Sequence, residues 1–253
     1  IASCYALIEE GRIPLEDGVT KALFETGAGL IRLDIHYTPE IFGGVSRLGP
    51  ERGSIISING KTAGLLEKIM LHQAIKGHRV SNVSAGEIAK YCGIDVNEIK
   101  RTGLPLEIIS TGLEQLMIPV LHKEAIRDMN PDLIKLGLMN RRCGVHTNHV
   151  FSLDVFSSDC TAYLRHFAPA IGVWEDPASG TAAAGLASYL LRHGVVTSGN
   201  LIVEQGKDTD SLARIIVEEG DPDDPAAPMR IGGLAVTSIT RRICQEAGEL
   251  IVR

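Results

Sequence analysis

No uninterrupted apolar run in the 253 residues approaches the roughly 18 to 20 that a bilayer crossing needs, so no membrane partner is expected. Low-complexity tracts are missing as well, and 44% apolar with 22% charged residues can bury a core, which excludes a disordered chain. There is no basic stripe: 25 Lys and Arg against 31 Asp and Glu leave a net charge of -6, and a nucleic-acid partner is not expected. Cysteine is sparse and odd in number (Cys4, Cys92, Cys143, Cys160, Cys244), with no C-x-x-C. That spacing suggests neither a disulfide framework nor a zinc knuckle, and a cytoplasmic location fits it best. No G-x-x-x-x-G-K-[ST] occurs, Gly27-Ala-Gly29 lacks the third glycine and the helix of a dinucleotide fingerprint, and no G-x-S-x-G elbow is present. No nucleotide cofactor is implied. An initial Met is also missing; the chain opens at Ile1 inside a helical pattern, and residues upstream are expected.

What is present reads as mixed α/β. Ile1 to Glu10 forms a helix with Leu7 and Ile8 on its buried side, capped by Gly11. Ala22 to Gly27 and Leu30 to Tyr37 form a hairpin. Ser54 to Ile58 is a strand, Gly64 to Ile75 a helix, and Ser84-Ala-Gly-Glu87 a capping box opening a helix to Tyr91. Leu106 to Thr111 and Gln115 to Leu121 flank a turn at Gly112. Lys123 to Leu138 is helical with a break at Pro131, and Val145 to Val155 alternates as a strand. Thr181 to His193 is an Ala- and Leu-rich helix closed by Gly194, expected to be buried on nearly all sides, followed by strands Leu201 to Gly206 and Ala213 to Glu218. The order helix, glycine, strand, turn, strand thus occurs twice, a weak internal duplication that predicts two similar lobes. The boundary is placed near Pro105, giving a first lobe of residues 1–104, joined by 245–253, and a second of 105–244. Gly220 to Pro228, with three prolines, is a surface loop.

Trp174-Glu-Asp-Pro-Ala-Ser-Gly-Thr-Ala-Ala-Ala-Gly185 is the most unusual segment. Pro177 fixes the chain, Gly180 admits a ligand close to the backbone, and the amides of Gly180, Thr181 and Ala182 are free donors at the positive end of a helix. A carboxylate or phosphate can seat there. The plainer alternative is a capped helix start, with Ser179 or Thr181 as cap and Asp176 complementing the dipole. His146-Thr-Asn-His149 is not read as a metal site, because residues three apart on a strand point to opposite faces; His149 reads as a packed histidine. Asp208-Thr-Asp210 reads as a solvated turn.

Glu175-Asp-Pro-Ala-Ser-Gly-Thr-Ala-Ala-Ala184 resembles the E-D-P-A-T-G-S-A motif of the PhzF family of phenazine-biosynthesis-like isomerases. The resemblance extends to Leu164-Arg-His-Phe-Ala-Pro169, Ser110-Thr-Gly-Leu113, Leu116-Met-Ile-Pro119, Glu204-Gln-Gly206 and Arg230-Ile-Gly-Gly233, nearly the whole chain. It implies an α/β (α+β) fold similar to diaminopimelate epimerase: two pseudo-equivalent lobes, each a barrel-like sheet around a central helix, with the first lobe N-terminally incomplete here. It also implies a cytoplasmic homodimer catalysing cofactor-independent, metal-free proton movement on a small amino-acid-like or hydroxy-acid substrate. Asp176 is the catalytic candidate, and Ser179, Gly180 and Thr181 are the substrate-binding ones. Ser179 stands where the related thiol-dependent racemases carry Cys, so their two-cysteine mechanism is not implied.

The family's catalytic Glu and its G-H-[AP]-T histidine fall before Ile1. The chain is therefore expected to be a fragment of a longer polypeptide, with activity of these residues alone in doubt. The alternatives are a non-catalytic binding or scaffold protein on the same fold, and a hydrolase using Ser179, which requires a His at its hydroxyl.

Overall fold

The computed structural model describes residues 1–27, 29–39, 53–208, 212–220, 229–235, 243–246 and 249–252. Its contacts divide the chain into two units, 1–70 with 234–253, and 71–233.

The first unit opens with α1 (Ala2–Glu9), which buries Cys4, Tyr5 and Ile8. It ends where Gly11 takes φ +67°, its amide bonding to Ile8 O and that of Arg12 to Leu7 O. Strands β1 (Gly18–Thr26) and β2 (Gly29–Thr38) form the expected hairpin, with Thr26 opposite Gly29. Next come β3 (Ser54–Ile58) and β4 (Lys61–Gln73), which pair antiparallel, β4 also lying beside β2. The helix expected over 64–75 is thus a strand. Leu65, Leu66, Ile69 and Met70 mimic a helical stripe, but neighbouring β2 decides the conformation. Tyr37 Oη donates to Ala63 O at 2.6 Å, and a Cβ at Gly64 would stand 2.6 Å from the Tyr37 ring.

The second unit contains β5 (Gly77–Val80), α2 (Ala85–Cys92), α3 (Val96–Lys100), β6 (Glu107–Ser110), β7 (Glu114–Pro119), α4 (Lys123–Asp128), α5 (Leu133–Cys143) and β8 (Thr147–Ser152). It continues through β9 (Ala162–Ala168), β10 (Val173–Asp176), α6 (Gly180–Arg192), β11 (Leu201–Gln205), β12 (Ala213–Glu218) and β13 (Met229–Gly233). The sheet runs β13-β12-β11-β9-β8-β7-β6-β5, with β10 antiparallel on β9. Pro105 lies inside this unit. Residues 71–104 belong with it because β5 pairs with β6, and Ile88, Ala89, Cys92 and Ile99 share a core with Ile108 and Leu116. Ser84 Oγ caps α2 by accepting from the Glu87 amide at 3.1 Å.

One face of the sheet packs on α2 to α5, the other on α6. Strand β8 is a strand as expected and is buried on both faces, Val150 toward the outer helices and Phe151 toward α6. As expected, α6 is enclosed: Ala183 and Leu190 are fully buried, as are Ala182, Ala184, Leu186 and Ala187. Small residues let the strands approach, and a Cβ at Gly185 would stand 2.8 Å from Met117 Cε. Burying Leu186 and Leu190 contributes about 1.5–3 kcal/mol each.

Residues 234–253 group with the first unit; within them β14 (Ile243–Glu246) and β15 (Glu249–Val252) form a hairpin. Residues 221–228 of the proline-rich loop, and Thr209 and Asp210, lie outside the described residues.

Candidate functional site

Strand β10 delivers Glu175 and Asp176 to the start of α6, and each neighbour of that loop has a traceable job. The Glu175 carboxylate takes a bidentate grip from Arg165 on β9, Nε to Oε1 at 2.7 Å and Nη2 to Oε2 at 2.8 Å. Arg165 is buried, and its Nη1 also donates to the carbonyls of Ile126, Arg127 and Met129 at the end of α4. Glu175 is thus an anchor, which leaves Asp176 as the carboxylate available for chemistry.

Asp176 Oδ1 accepts from the Ala178 amide at 3.1 Å, an Asx-turn that bends the chain over Pro177. Ser179 is the N-cap of α6, its Oγ accepting from the Ala182 amide at 3.4 Å and lying 3.2 Å from Thr181 Oγ1. The backbone of this turn is held by Gln205, the last residue of β11. Gln205 is fully buried; its Nε2 donates to Asp176 O at 2.6 Å and its Oε1 accepts from the Ser179 amide at 3.0 Å. A Cβ at Gly180 would stand 2.9 Å from Ile231 Cδ1, so a larger residue there displaces that side chain. Gln115 Nε2 reaches Thr181 O at 3.4 Å.

The structure therefore brings all four predicted residues, Asp176, Ser179, Gly180 and Thr181, into one six-residue turn. Residues whose roles sequence reasoning missed are Gln205, Arg165 and His166; all lie inside segments quoted for the family resemblance, but only packing reveals what they touch. Glu204, beside Gln205, is a buried bracket for the Phe156 and Ser157 amides. Beneath the first turn of α6, His149 and His166 face each other with ring centroids 4.4 Å apart. Burial pushes His166 down to about 4 and His149 well below the usual histidine range, so both rings are neutral at physiological pH. His149 is packed, as expected. His146 instead accepts from the Glu114 amide through Nδ1 at 3.0 Å, and among the described residues no cluster of three metal-ligating side chains exists. Among the described residues the hydroxyl partners of Ser179 are Thr181 and the Ala182 amide, and no histidine stands at the hydroxyl as the hydrolase alternative requires.

Chemically, the turn combines a carboxylate, two hydroxyls and a 13-residue helix whose positive end suits an anion. Among the described residues no helix is long and apolar enough to cross a membrane.

Residues 1–241 match the PhzC-PhzF family, described as phenazine biosynthesis-like protein. The uncharacterized isomerase YddE of Escherichia coli (strain K12) is 30% identical over 138 residues, 53% of this chain and 46% of that protein. The chain thus spans about half the length of that curated relative. A crystal structure of the Bacillus anthracis phenazine biosynthesis protein of the PhzF family superposes with a TM-score of 0.67 at 24% identity, covering 91% of this chain and 70% of the other. A probable proline racemase from Agrobacterium radiobacter K84, solved with bound carbonate, gives a TM-score of 0.53 at 16% identity over 92% and 63% of the two chains. The mixed α+β fold follows from these likenesses, and the curated relative carries the name of an isomerase.

Proposed function

The chain belongs to the PhzC-PhzF family of phenazine biosynthesis-like proteins, and from that premise we propose that it forms part of a cofactor-independent isomerase or epimerase acting on a small amino-acid-like or hydroxy-acid substrate. The substrate carboxylate sits on the amides of Gly180 and Thr181 with the hydroxyls of Ser179 and Thr181 beside it, and Asp176 holds the substrate's polar group. A C–H bond next to the carboxylate breaks, its proton passes to an acidic shuttle, and the electron pair stays on the substrate as a carboxylate-stabilised carbanion. Return of a proton at another carbon or on the opposite face gives the isomer. The positive end of α6 stabilises the charge that grows in this step. The shuttle itself is the family's glutamate, a residue that the α6 turn does not supply. A cytoplasmic homodimer is part of the same reading.

One observation carries the proposal: Gln205 locks the Asp176–Ser179 turn from within, so the site is held in place before any ligand arrives. The test is proton exchange from D2O into a panel of amino and hydroxy acids, followed by proton NMR with the full polypeptide. Asp176→Asn should slow exchange by about a hundredfold or more while unfolding stability changes by under about 1 kcal/mol. Equal losses in both assign Asp176 a structural role. Sulfate or carboxylate binding at α6 with no exchange in any substrate supports the binding-protein alternative instead.

A further inference from the structure

The inner face of the second unit's sheet changes character along α6. Ile109, Phe151, Leu164 and Val203 share the apolar core with α6; Gln115 and Gln205 bond the backbone of its first turn, and Thr147 and His166 lie against His149, all of them buried. His149 and His166 stand opposite each other on β8 and β9, and Asp176 stands opposite His166 on β10. Three atoms of this polar floor have no hydrogen-bond partner: His149 Nδ1, His166 Nδ1 and Gln115 Oε1. Buried polar atoms without partners are rare and ask for a cause.

The groups facing the pair can be named element by element. From β10, Asp176 and Glu175 draw a proton toward His166, against its burial. On β8, Thr147 Oγ1 lies 3.4 Å from His149 Nε2. On β7, Met117 stands opposite His149 and adds no charge. From α6, the Ala182 backbone favours the protonated form of His149, which places this fully buried ring close to the first turn. Arg165 is spent on Glu175 and the α4 carbonyls. Two neutral rings suit the positive end of a helix, where a cation is repelled. An anion seated on the same turn reverses that balance.

We propose that His166, backed by His149, is a positioning residue that takes up a solvent proton at its free Nδ1 when an oxyanion or carboxylate seats on the first turn of α6. Anion binding and proton uptake are then reciprocal: each strengthens the other by the same factor. The bound group is neutralised in place, and the orphaned nitrogen becomes a donor. The proposal rests on reading the α6 turn as an anion seat.

Sulfate is the probe, because its charge is constant over the working range. With 15N-histidine labelling at constant ionic strength, sulfate should shift the amides of Gly180 and Thr181 and move the His166 nitrogens toward the imidazolium signature. Affinity should rise about fivefold from about pH 7.5 to about pH 5. In His166→Gln, binding at the higher pH should persist and the rise should vanish; His166→Met serves if that variant does not fold, and the wild-type spectra need no variant. Shifts at the amides without movement of the imidazoles overturn the proposal and leave the seat standing. No shift at either removes the seat, and the proposal with it.

Discussion

Replacing Gln205 by Met keeps the length of the side chain and removes both of its hydrogen bonds, so the cost can be worked from the structure with little cavity contribution. The Ser179 amide is buried, and losing its acceptor costs the desolvation of an orphaned N–H, about 1–3 kcal/mol. Asp176 O is only partly buried, so water recovers some of that bond and about 1 kcal/mol is lost. Together the change should cost about 2–4 kcal/mol, which in a chain of this size lowers Tm by roughly 4–16 °C. Urea unfolding and calorimetry read it directly. Gln205→Glu should be worse, since it sets a carboxylate oxygen against the Asp176 carbonyl and buries a charge. Gln73→Met, which removes a bond to Thr111 O at a half-buried position, is the control and should cost about 1 kcal/mol. A Gln205→Met cost below about 1 kcal/mol, or a Glu variant milder than Met, would refute the view of Gln205 as the internal clamp of the site.

Glu175→Gln should cost about 3 kcal/mol by leaving the buried Arg165 guanidinium short of its counter-charge, and a double-mutant cycle with Arg165→Met should show coupling above about 1 kcal/mol; additive losses argue against the pair. Because His166 has a folded pKa lowered to about 4, the unfolded chain binds more protons between there and about 6.5. Stability should therefore be fully present above about pH 6.5 and fall as pH drops toward about 4, by on the order of 3 kcal/mol from this residue, with His149 adding in the same direction. In His166→Gln the acid limb of a pH series of urea melts should flatten; an unchanged limb contradicts the assignment. Burial raises the Cys92 thiol to about 12, and Cys4 and Cys160 to about 11, so half-buried Cys143 should alkylate before these three near pH 8 in a mass-spectrometric time course.

The sequence already showed much of this architecture, and the reason is local. The β1–β2 hairpin, the capping box at Ser84 and the α6 helix are set by turn chemistry and composition that any reader of the chain can see. The strand at 61–73 was hidden because its apolar spacing imitates a helix, and only its pairing with β3 and β2 settles it. Likewise the alternation along β8 does not show that both of its faces are packed. In the site, Asp176, Ser179, Gly180 and Thr181 were legible because they are contiguous. Gln205 was not, because its partners lie 26 and 29 positions away in sequence. The His149–His166 contact likewise depends on strand register, which one chain's pattern does not specify.

Arg165 crosses from one side of the sheet to the other in its effects. Its guanidinium holds Glu175, next to the site carboxylate, while its remaining donors hold the end of α4 on the outer layer. A ligand that tugs on β10 thereby tugs on a helix it never touches, through a single side chain acting as a strut. The amides near the end of α4, around Met129, should report occupancy of the turn by slowed hydrogen exchange, so that the back of the protein becomes a gauge for events at its front.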